Sequence, residues 1–327
     1  MSIAKVTVII PVWNSIQWLP DCLEALAKQS YQEFLLCVVD NGSTDDTREY
    51  LKSLLWKNFY LIRFDENKGF AAAVNAGIQY STTPYVVLLN VDTKPEDKWL
   101  ETLIKAIEEL RVRVTSLASK MLMMDRPDRI DSAGDTFSWY GAATKIGHGF
   151  PEKDFDHCRY VFSACAGAAL YRRSLFDEIG LFDERYFCYL EDIDIGLREK
   201  LKGFQCLYIP KARIHHYGHG SGVNGSFYVY LVTRNRLITI VKNLTLLSLI
   251  MHLHKILYGQ FYYLIVYKNP LASLRGYMSF LGMVKNIIRS RRDVMRTKTI
   301  SNKELKKILS NEFAERGLIQ IFKSKLK

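Results

Sequence analysis

The chain has 327 residues, of which 48% are hydrophobic and 24% are charged. This composition allows a packed core and excludes a globally disordered chain, and the length suffices for one large domain plus an appendage. The formal net charge of +11 is uneven, since residues 285–327 hold 13 Lys or Arg against 4 Asp or Glu, which is +9 and leaves +2 for residues 1–284. We therefore expect a nearly neutral body and a basic C-terminal region suited to nucleic acid or an anionic membrane surface.

The cysteines and the N-terminus predict a protein of a reducing compartment, the cytoplasm. Residues 1–5 lead directly into the β-branched run 6–10, which is too short for a signal peptide. The six cysteines form no CxxC pair, so free thiols are the simplest interpretation, and a catalytic or zinc-binding cysteine is disfavoured.

Predicted strands and helices alternate along the first 110 residues. The strands are expected at 6–10, 34–39, 61–64 and 85–89, and the helices at 18–29, 45–55, 70–79 and from Pro95 to 109. This order predicts crossover connections and an α/β fold with a mainly parallel sheet. Ligands bind beyond the carboxyl ends of such strands, where Asn14, Asp40 and Asp92 are found.

Residues 111–165 are expected to add strands and loops over the site, and a helix at 191–200 and a strand at 206–209 complete the first domain. We predict two regions, 1–240 and 241–327, the second helical and basic. Residues 244–268 are rich in Leu, Ile and Tyr, but Lys255 would cost roughly 3 kcal/mol inside a bilayer. A helix lying in the membrane plane and a helical subdomain packed on the core both remain open, and a spanning helix is disfavoured.

Two acidic segments suggest chemistry. The apolar run 86–91 ends at Asp92, and Glu191, Asp192 and Asp194 fall within four residues beside apolar ones. An unpaired buried carboxylate is costly, so a divalent metal or an abstractable proton would explain them. Asp92 suits Mg²⁺ or Mn²⁺, with capping of a helix before Pro95 as the alternative. The second cluster suits a general base, with helix capping as the alternative for one or two of its members.

A histidine-rich segment follows at 214–221. His215, His216 and His219 lie among glycines that let the backbone approach a phosphate closely. A neutral imidazole is a common metal ligand. A polar loop without such a role is the alternative.

Seven segments in register then carry a family resemblance, over about residues 5–240. They are VTVIIPVWN (6–14), VVDNGSTDDT (38–47), NKGFAAAVNAG (67–77), VVLLNVDT (86–93), CAGAALYRRSLFDEIGLFDERYF (165–187), YLEDIDIGLR (189–198) and HYGHGSG (216–222). With them the chain resembles inverting family-2 glycosyltransferases of the GT-A fold, and most closely their bacterial rhamnosyltransferase-like branch. The implied fold is a nucleotide-sugar-binding α/β fold with a mainly parallel mixed sheet, flanked by helices and followed by a C-terminal helical extension.

The resemblance also implies roles for individual residues. Those that would contact the donor nucleotide are Pro11, Asn14, Asp40, Asn67, Gly69, Asn90 and Arg234, with Asp40 accepting from the base and Arg234 contacting phosphate. Asp92 and His216 would bind Mg²⁺ or Mn²⁺, with His215 as the alternative to His216. Asp192 would be the general base, and Glu191 would orient the acceptor or Asp192.

The implied reaction moves a sugar from a nucleotide-diphosphate donor to a glycan or lipid-linked glycan acceptor in cell-surface polysaccharide synthesis. The preferred donor is dTDP-L-rhamnose, and galactofuranose, mannose, glucose and N-acetylhexosamine donors stay open. We expect a peripheral location at the inner face of the cell membrane and no nucleic-acid partner.

Two other function classes fit the sequence less well. A nucleotidyltransferase is disfavoured because residues 12–16 lack the Gly-rich basic loop of those enzymes. A nucleic-acid binder using 285–327 would leave Asp92, Asp192 and His216 unexplained.

Overall fold

The fold is that of a computed structural model, which describes residues 4–218 and 225–313. Numbered in chain order, the strands are β1 (Val6–Val12), β2 (Phe34–Asn41), β3 (Phe59–Phe64), β4 (Tyr85–Leu89), β5 (Thr93–Pro95), β6 (Val114–Met123), β7 (Ile130–Ser132), β8 (Asp135–Phe137), β9 (Ala143–Lys145), β10 (Arg159–Val161), β11 (Ala168–Arg172) and β12 (Gln205–His216).

The α-helices, numbered likewise, run from the first crossover to the C-terminal region. They are α1 (Leu19–Ala27), α2 (Thr47–Ser53), α3 (Phe70–Tyr80), α4 (Trp99–Glu109), α5 (Ser174–Ile179), α6 (Glu191–Leu201), α7 (Gly225–Asn243), α8 (Leu246–Met251), α9 (Leu253–Val266), α10 (Pro270–Thr297) and α11 (Asn302–Ile308).

Ten strands form one mixed sheet in the order β10-β12-β6-β11-β4-β1-β2-β3, with β5 and β7 paired to β12 and β6. The neighbours β4, β1, β2 and β3 are all parallel, as crossovers through helices require. Strand β11 runs antiparallel to β4 and β6, and β12 runs parallel to β6. The predicted α/β fold with a mixed sheet flanked by helices is confirmed.

Apolar cores cover both faces of the sheet. Because side chains alternate along a strand, Val8 and Ile10 of β1 join a core with α1 and α4, while Ile9 joins a second core with α3. The approach of α3 to β1 is close at Gly77, where a Cβ would lie 2.5 Å from the Cγ2 atom of Ile9. The two cores hold the carboxyl ends of the parallel strands at one edge.

Two predicted boundaries were wrong. Pro95 ends strand β5 instead of opening a helix, because Thr93–Pro95 pairs with β12, and α4 begins at Trp99. Strand β12 continues to His216 beyond the predicted end at 209, through a register irregularity between Ile209 and Arg213. His215 and His216 are therefore strand residues and not loop residues, and their side chains leave opposite faces of the sheet.

The described part of the C-terminal region, residues 241–313, is mainly helical, as predicted. Helix α7 crosses residue 240 and packs against α10, and Ile256, Leu305 and Leu309 share a buried cluster with Trp139 of the sheet domain. The division at residue 240 remains a prediction. Across the ranges 4–218 and 225–313, the structure has no helix that is both long and apolar enough to cross a membrane. All six cysteines are free thiols.

We predict that Gly77→Ala lowers the free energy of unfolding by about 1–3 kcal/mol, because the added methyl overpacks against Ile9. The matched control is Gly282→Ala in α10, where an added Cβ meets nothing within 4 Å. It should raise stability by up to about 1 kcal/mol through helix propensity. Chemical denaturation of both variants measures the difference, and equal shifts would contradict close packing of α3 on β1.

Candidate active site

A cavity of about 660 Å³ opens at the carboxyl ends of the parallel strands. Its size suits a small-molecule ligand. Eight of the eleven predicted site residues line it: Pro11, Asn67, Gly69, Asn90, Asp92, Glu191, Asp192 and His216. Asn14, Asp40 and Arg234 are not among the lining residues. The fold thus brings residues as distant in the sequence as Pro11 and His216 to one place.

His216 lies between two carboxylates. Its Nε2 atom is 3.4 Å from a carboxylate oxygen of Asp92, and its Nδ1 atom is 2.8 Å from one of Asp131. Burial alone lowers the pKa of His216, but hydrogen bonds and charges from Asp131 and Asp92 outweigh it and raise the pKa to about 9. Burial alone raises the pKa of Asp131. The hydrogen bonds and charges of His216 and Lys145 outweigh that effect and bring the pKa of Asp131 below its ordinary range.

This arrangement fits a divalent metal. A histidine that binds a metal through one ring nitrogen usually donates a hydrogen bond from the other ring nitrogen, often to a carboxylate, and this bond fixes the tautomer and the ring orientation. Asp131 takes that position and leaves Nε2 facing Asp92. Within the described part of the chain, no three His, Cys, Asp or Glu side chains already form a complete metal cluster. Asp92 and His216 would therefore supply two ligands, and the remaining positions would be open to substrate oxygens.

The structure separates the two candidate histidines. His215 is turned to the other face of β12, where its Nε2 atom lies 3.2 Å from Glu96. His216 faces the cavity and Asp92. The pairing of β12 with β5, which sets His216 opposite Thr93, produces this contact.

Asp192 lies at the start of α6 and faces the cavity. One of its carboxylate oxygens accepts from the Ile193 amide at 2.8 Å, and the other accepts from the Ala166 amide at 3.4 Å. Burial raises the pKa of Asp192, and the two amides and Lys145 oppose that rise. A carboxylate with an elevated pKa and an oxygen toward the cavity has the properties of a general base.

The loop before α6 is strained. Phe187, Tyr189 and Leu190 have φ values of 64°, 69° and 69°, in the left-handed region that side chains with a Cβ rarely adopt. The side-chain amide of Asn235 holds the loop, donating to the carbonyls of Tyr186, Cys188 and Tyr189 at 2.8–2.9 Å. Such strain persists only where the surroundings enforce it, and it clusters at functional sites.

Arg234, which is predicted to contact phosphate, is buried beside the strained loop. Its guanidinium donates to Asn235, to the Tyr230 hydroxyl and to the carbonyls of Arg185 and Tyr186 at 2.8–3.1 Å, and the residue is 5% exposed. These acceptors hold the guanidinium away from the residues that line the cavity, and the phosphate contact of Arg234 stays a prediction. Arg234 supports the strained loop together with Asn235.

Glu191 and Asp194, the other two acids near the start of α6, have different surroundings. Glu191 lines the cavity, and burial followed by the Asp192 charge raises its pKa well above the usual value. Asp194 is fully buried and forms ion pairs with Arg198 and Lys242 at 2.9 and 2.7 Å. This agrees with a structural position for Asp194.

The nucleotide side of the predicted site has a defined geometry. Gly69 has φ of 88°, and a Cβ there would lie 2.5 Å from the Phe187 carbonyl oxygen, so the close approach of α3 to the strained loop needs glycine. Asp40 is buried, accepting from the Ser43 amide at 2.8 Å and pairing with Arg63 at 3.0 Å. The Asn14 side-chain oxygen accepts from the Thr44 amide.

Sequence reasoning missed two cavity residues, Asp135 and Lys145, and the supporting residue Asp131. Asp135 and Lys145 line the cavity, and Lys145 donates to both oxygens of Asp131 at 2.8 and 2.9 Å. Burial and the Asp192 charge raise the pKa of Asp135 well above its usual value. The signal was present, because Asp131 and Asp135 stand among apolar and small residues in Ile130–Asp135, as Asp92 does in its own segment.

Solved structures share this fold. A GalNAc-T7 solved with UDP, GalNAc and Mn²⁺ superposes with a TM-score of 0.57 at 16% identity, over 82% of this chain and 58% of that one. Staphylococcus aureus TarS (1–349) with UDP-GlcNAc gives 0.55 at 19% identity, over 90% and 84%. At such identities the likeness concerns the fold, which is the GT-A glycosyltransferase fold.

Relatives by sequence carry glycosyltransferase names. The glycosyltransferase AglE of Haloferax volcanii is 37% identical over 106 residues, which is 31% of this chain and 35% of that protein. The glycosyltransferase GlyG of Streptococcus pneumoniae is 32% identical over 106 residues, 32% and 35% of the two chains. The chain thus spans about a third of the length of these two relatives. A PGL/p-HBAD biosynthesis glycosyltransferase of Mycobacterium bovis is 28% identical over 202 residues, 61% of this chain and 70% of that protein.

The family model described as glycosyl transferase family 2 matches residues 7–180. That span covers more than half of the chain and contains the parallel strands, Asp92 and the His216 partner Asp131. The chain therefore belongs to glycosyl transferase family 2.

Proposed function

We propose that this protein is an inverting, metal-dependent glycosyltransferase that moves a sugar from a nucleoside-diphosphate donor to a hydroxyl of a glycan acceptor. The observation that carries the proposal is the meeting, in one cavity, of the Asp92–His216 pair and the separately placed carboxylate of Asp192. The pair suits the leaving diphosphate, and the carboxylate suits the attacking hydroxyl.

Asp92 and His216 would hold Mg²⁺ or Mn²⁺. When bound, the metal neutralises negative charge on the leaving diphosphate. Asp131 keeps the His216 ring oriented, and Lys145 holds Asp131 in place through two hydrogen bonds. Two structural neighbours solved with Mn²⁺, the GalNAc-T7 and a Pyrobaculum calidifontis mannosyltransferase with GDP-Man, support a divalent ion for this fold.

Asp192 acts as the base. It accepts the proton of the acceptor hydroxyl while the hydroxyl oxygen attacks the anomeric carbon from the face opposite the leaving group. The amides of Ala166 and Ile193 orient its two oxygens, and the strained loop fixes the start of α6. Glu191 orients the acceptor or Asp192 from the adjacent cavity wall.

The nucleotide lies on the β1–α3 side of the cavity in this proposal. Pro11, Asn67, Gly69 and Asn90 line that wall. Pro11, Asn14 and Asp40 would line the base and ribose, with Asp40, held by Arg63, accepting from the base. The preferred donor is dTDP-L-rhamnose, from resemblance to the rhamnosyltransferase-like branch, with galactofuranose, mannose, glucose and N-acetylhexosamine donors as the alternatives.

The proposed acceptor is a glycan or lipid-linked glycan of cell-surface polysaccharide synthesis. The enzyme would work in the cytoplasm as a peripheral protein at the inner face of the membrane. Residues 1–240 would form the catalytic domain and residues 241–327 the basic, membrane-associating region, although α7 joins the two.

A panel of donors tests the reaction itself. Incubation with Mn²⁺ and the dTDP-rhamnose, UDP-galactofuranose, GDP-mannose, UDP-glucose and UDP-N-acetylglucosamine donors should release nucleoside diphosphate from at least one. With that donor, Asp192→Asn should keep donor binding, because the carboxylate faces the acceptor, and reduce turnover roughly 10²–10⁴-fold. Near-normal turnover would remove Asp192 as the base, and turnover of none of the donors would contradict the proposed function.

The histidine pair tests the metal site. His216→Ala should weaken Mn²⁺ binding by at least about tenfold, since losing even a group that orients a metal-binding histidine commonly costs roughly 10–100-fold. His215→Ala is the matched control and should bind Mn²⁺ normally, because His215 contacts Glu96 on the other face of the strand. Electron paramagnetic resonance of bound Mn²⁺ measures both, and an equal loss in the two variants would contradict the assignment.

Lys145 tests the pH dependence. Its positive charge lowers the pKa of Asp192, so Lys145→Met should raise that pKa and move the acid limb of the donor-hydrolysis profile to higher pH. Lys145→Arg keeps the charge and should leave the limb near its original position. Hydrolysis rates measured across pH for the three proteins decide the point, and coincident profiles would show that Lys145 does not act on the base.

A further inference from the structure

Helix α10 has an apolar stripe that the rest of the described chain does not cover. Its members recur at spacings of three and four and are 42–70% exposed: Leu271, Leu274, Met278, Leu281 and Ile288. The other side of α10 is packed, since Ala272, Gly276 and Ile287 are buried and Gly276 lies against α7 at Tyr230 and Thr233. The stripe is therefore not needed to hold α10 on the protein.

Helices α8 and α9 add exposed apolar side chains. Those that are 52–66% exposed are Leu246, Leu247, Ile250, Leu253, Leu257 and Phe261. Helix α9 contacts α10, where the Tyr277 hydroxyl donates to the Gln260 carbonyl at 3.4 Å. We call these eleven side chains of α8, α9 and α10 the apolar face. A concentration of exposed apolar side chains marks an interaction surface, whereas single scattered ones are normal on a protein surface.

The charges around the apolar face have one sign. Between Glu199 and Asp293 the sequence has no Asp or Glu and has 14 Lys or Arg. On α10, Arg275, Lys285, Arg289 and Arg292 are all exposed, and Lys285 continues the spacing of the stripe between Leu281 and Ile288. An occupant of this surface must therefore be apolar where it touches the leucines and negatively charged around them.

A second copy of the chain does not meet that requirement. The three-and-four spacing of the stripe resembles a coiled-coil seam, but a parallel, in-register pair of α10 helices would set Lys285, Arg289 and Arg292 against the same cationic residues of the partner. Like charges across such a seam are destabilising. A bilayer of anionic lipids supplies both an apolar interior and a negative surface.

We propose that the apolar face docks α8, α9 and α10 in the plane of an anionic lipid bilayer, with the basic side chains of α10 against the headgroups. This places the membrane contact in 246–288, ahead of most of the basic tail. Basic residues near an anionic leaflet add attraction that falls off within a Debye length.

The docked orientation brings the active-site cavity near the lipid. Tyr228 lines that cavity and packs edge-on against Tyr267 just after α9, with ring centroids 6.2 Å apart. Lys268, exposed, and Leu271, the first residue of the stripe, follow within four residues. This deepens the proposed function, on which it rests, because an acceptor attached to a lipid would meet the cavity at the membrane surface.

Vesicle flotation of the full-length chain tests the docking. We expect at least tenfold more protein on vesicles of equal phosphatidylcholine and phosphatidylglycerol than on phosphatidylcholine alone. Leu274→Glu with Met278→Glu, and separately Leu257→Glu with Phe261→Glu, should each reduce binding roughly tenfold or more. The matched control is Leu55→Glu with Val112→Glu, which adds the same charge at sites 98% and 76% exposed on the sheet domain and should bind normally.

Two further readouts keep the outcomes distinct. Donor hydrolysis without vesicles should be unchanged in all three double variants, so its absence in every protein would count against the proposed function and not against docking. Equal binding to both vesicle types, or an equal loss in the Leu55/Val112 control, would overturn the docking. So would sedimentation showing a dimer that the α10 variant dissociates, or filter retention of RNA that the same variant abolishes.

Discussion

The placement of His216 between Asp92 and Asp131 is the interaction on which the candidate site depends. The imidazole joins β12, the turn after β4 and strand β7, which lie far apart in the sequence. It exists because β12 extends past its irregularity and pairs with β5, which turns His216 toward Asp92 and His215 away. The two carboxylates stabilise the charged form of the buried imidazole and so offset the cost of burying these groups.

The second determinant is the loop that presents Asp192. Phe187, Tyr189 and Leu190 lie close together in this loop, and each has a positive φ, which is unfavourable for a residue with a side chain. Asn235 offsets that cost with three hydrogen bonds to the loop carbonyls. Asn235 belongs to α7, which also packs on α10. The position of the proposed base is therefore coupled to the C-terminal helices, which are an integral support of the site as well as a candidate contact with the membrane.

Charge is divided between the inside and the outside of the molecule. Acidic side chains gather at the cavity, where Asp92, Asp135, Glu191 and Asp192 line the wall together with Lys145 and His216. Burial raises the pKa values of Asp135, Glu191 and Asp192, so these carboxyl groups bind a proton more readily than exposed ones do. The exposed surface of α10 has the opposite sign. The cavity wall is thus acidic, and the exposed surface of α10 is basic.

The sequence by itself determined the α/β fold, the order of the first strands and helices, and the segments that form the cavity wall. These follow from local apolar periodicity and from the rule that parallel strands end at one edge. Only the tertiary structure decided which histidine faces Asp92, that Arg234 supports a loop, and that Asp131, Asp135 and Lys145 belong to the site. Those outcomes depend on strand pairing and on hydrogen bonds between segments distant in the chain, such as Arg234 to Arg185 and Lys145 to Asp131. No local pattern encodes such pairings, because each depends on where the partner segment is packed.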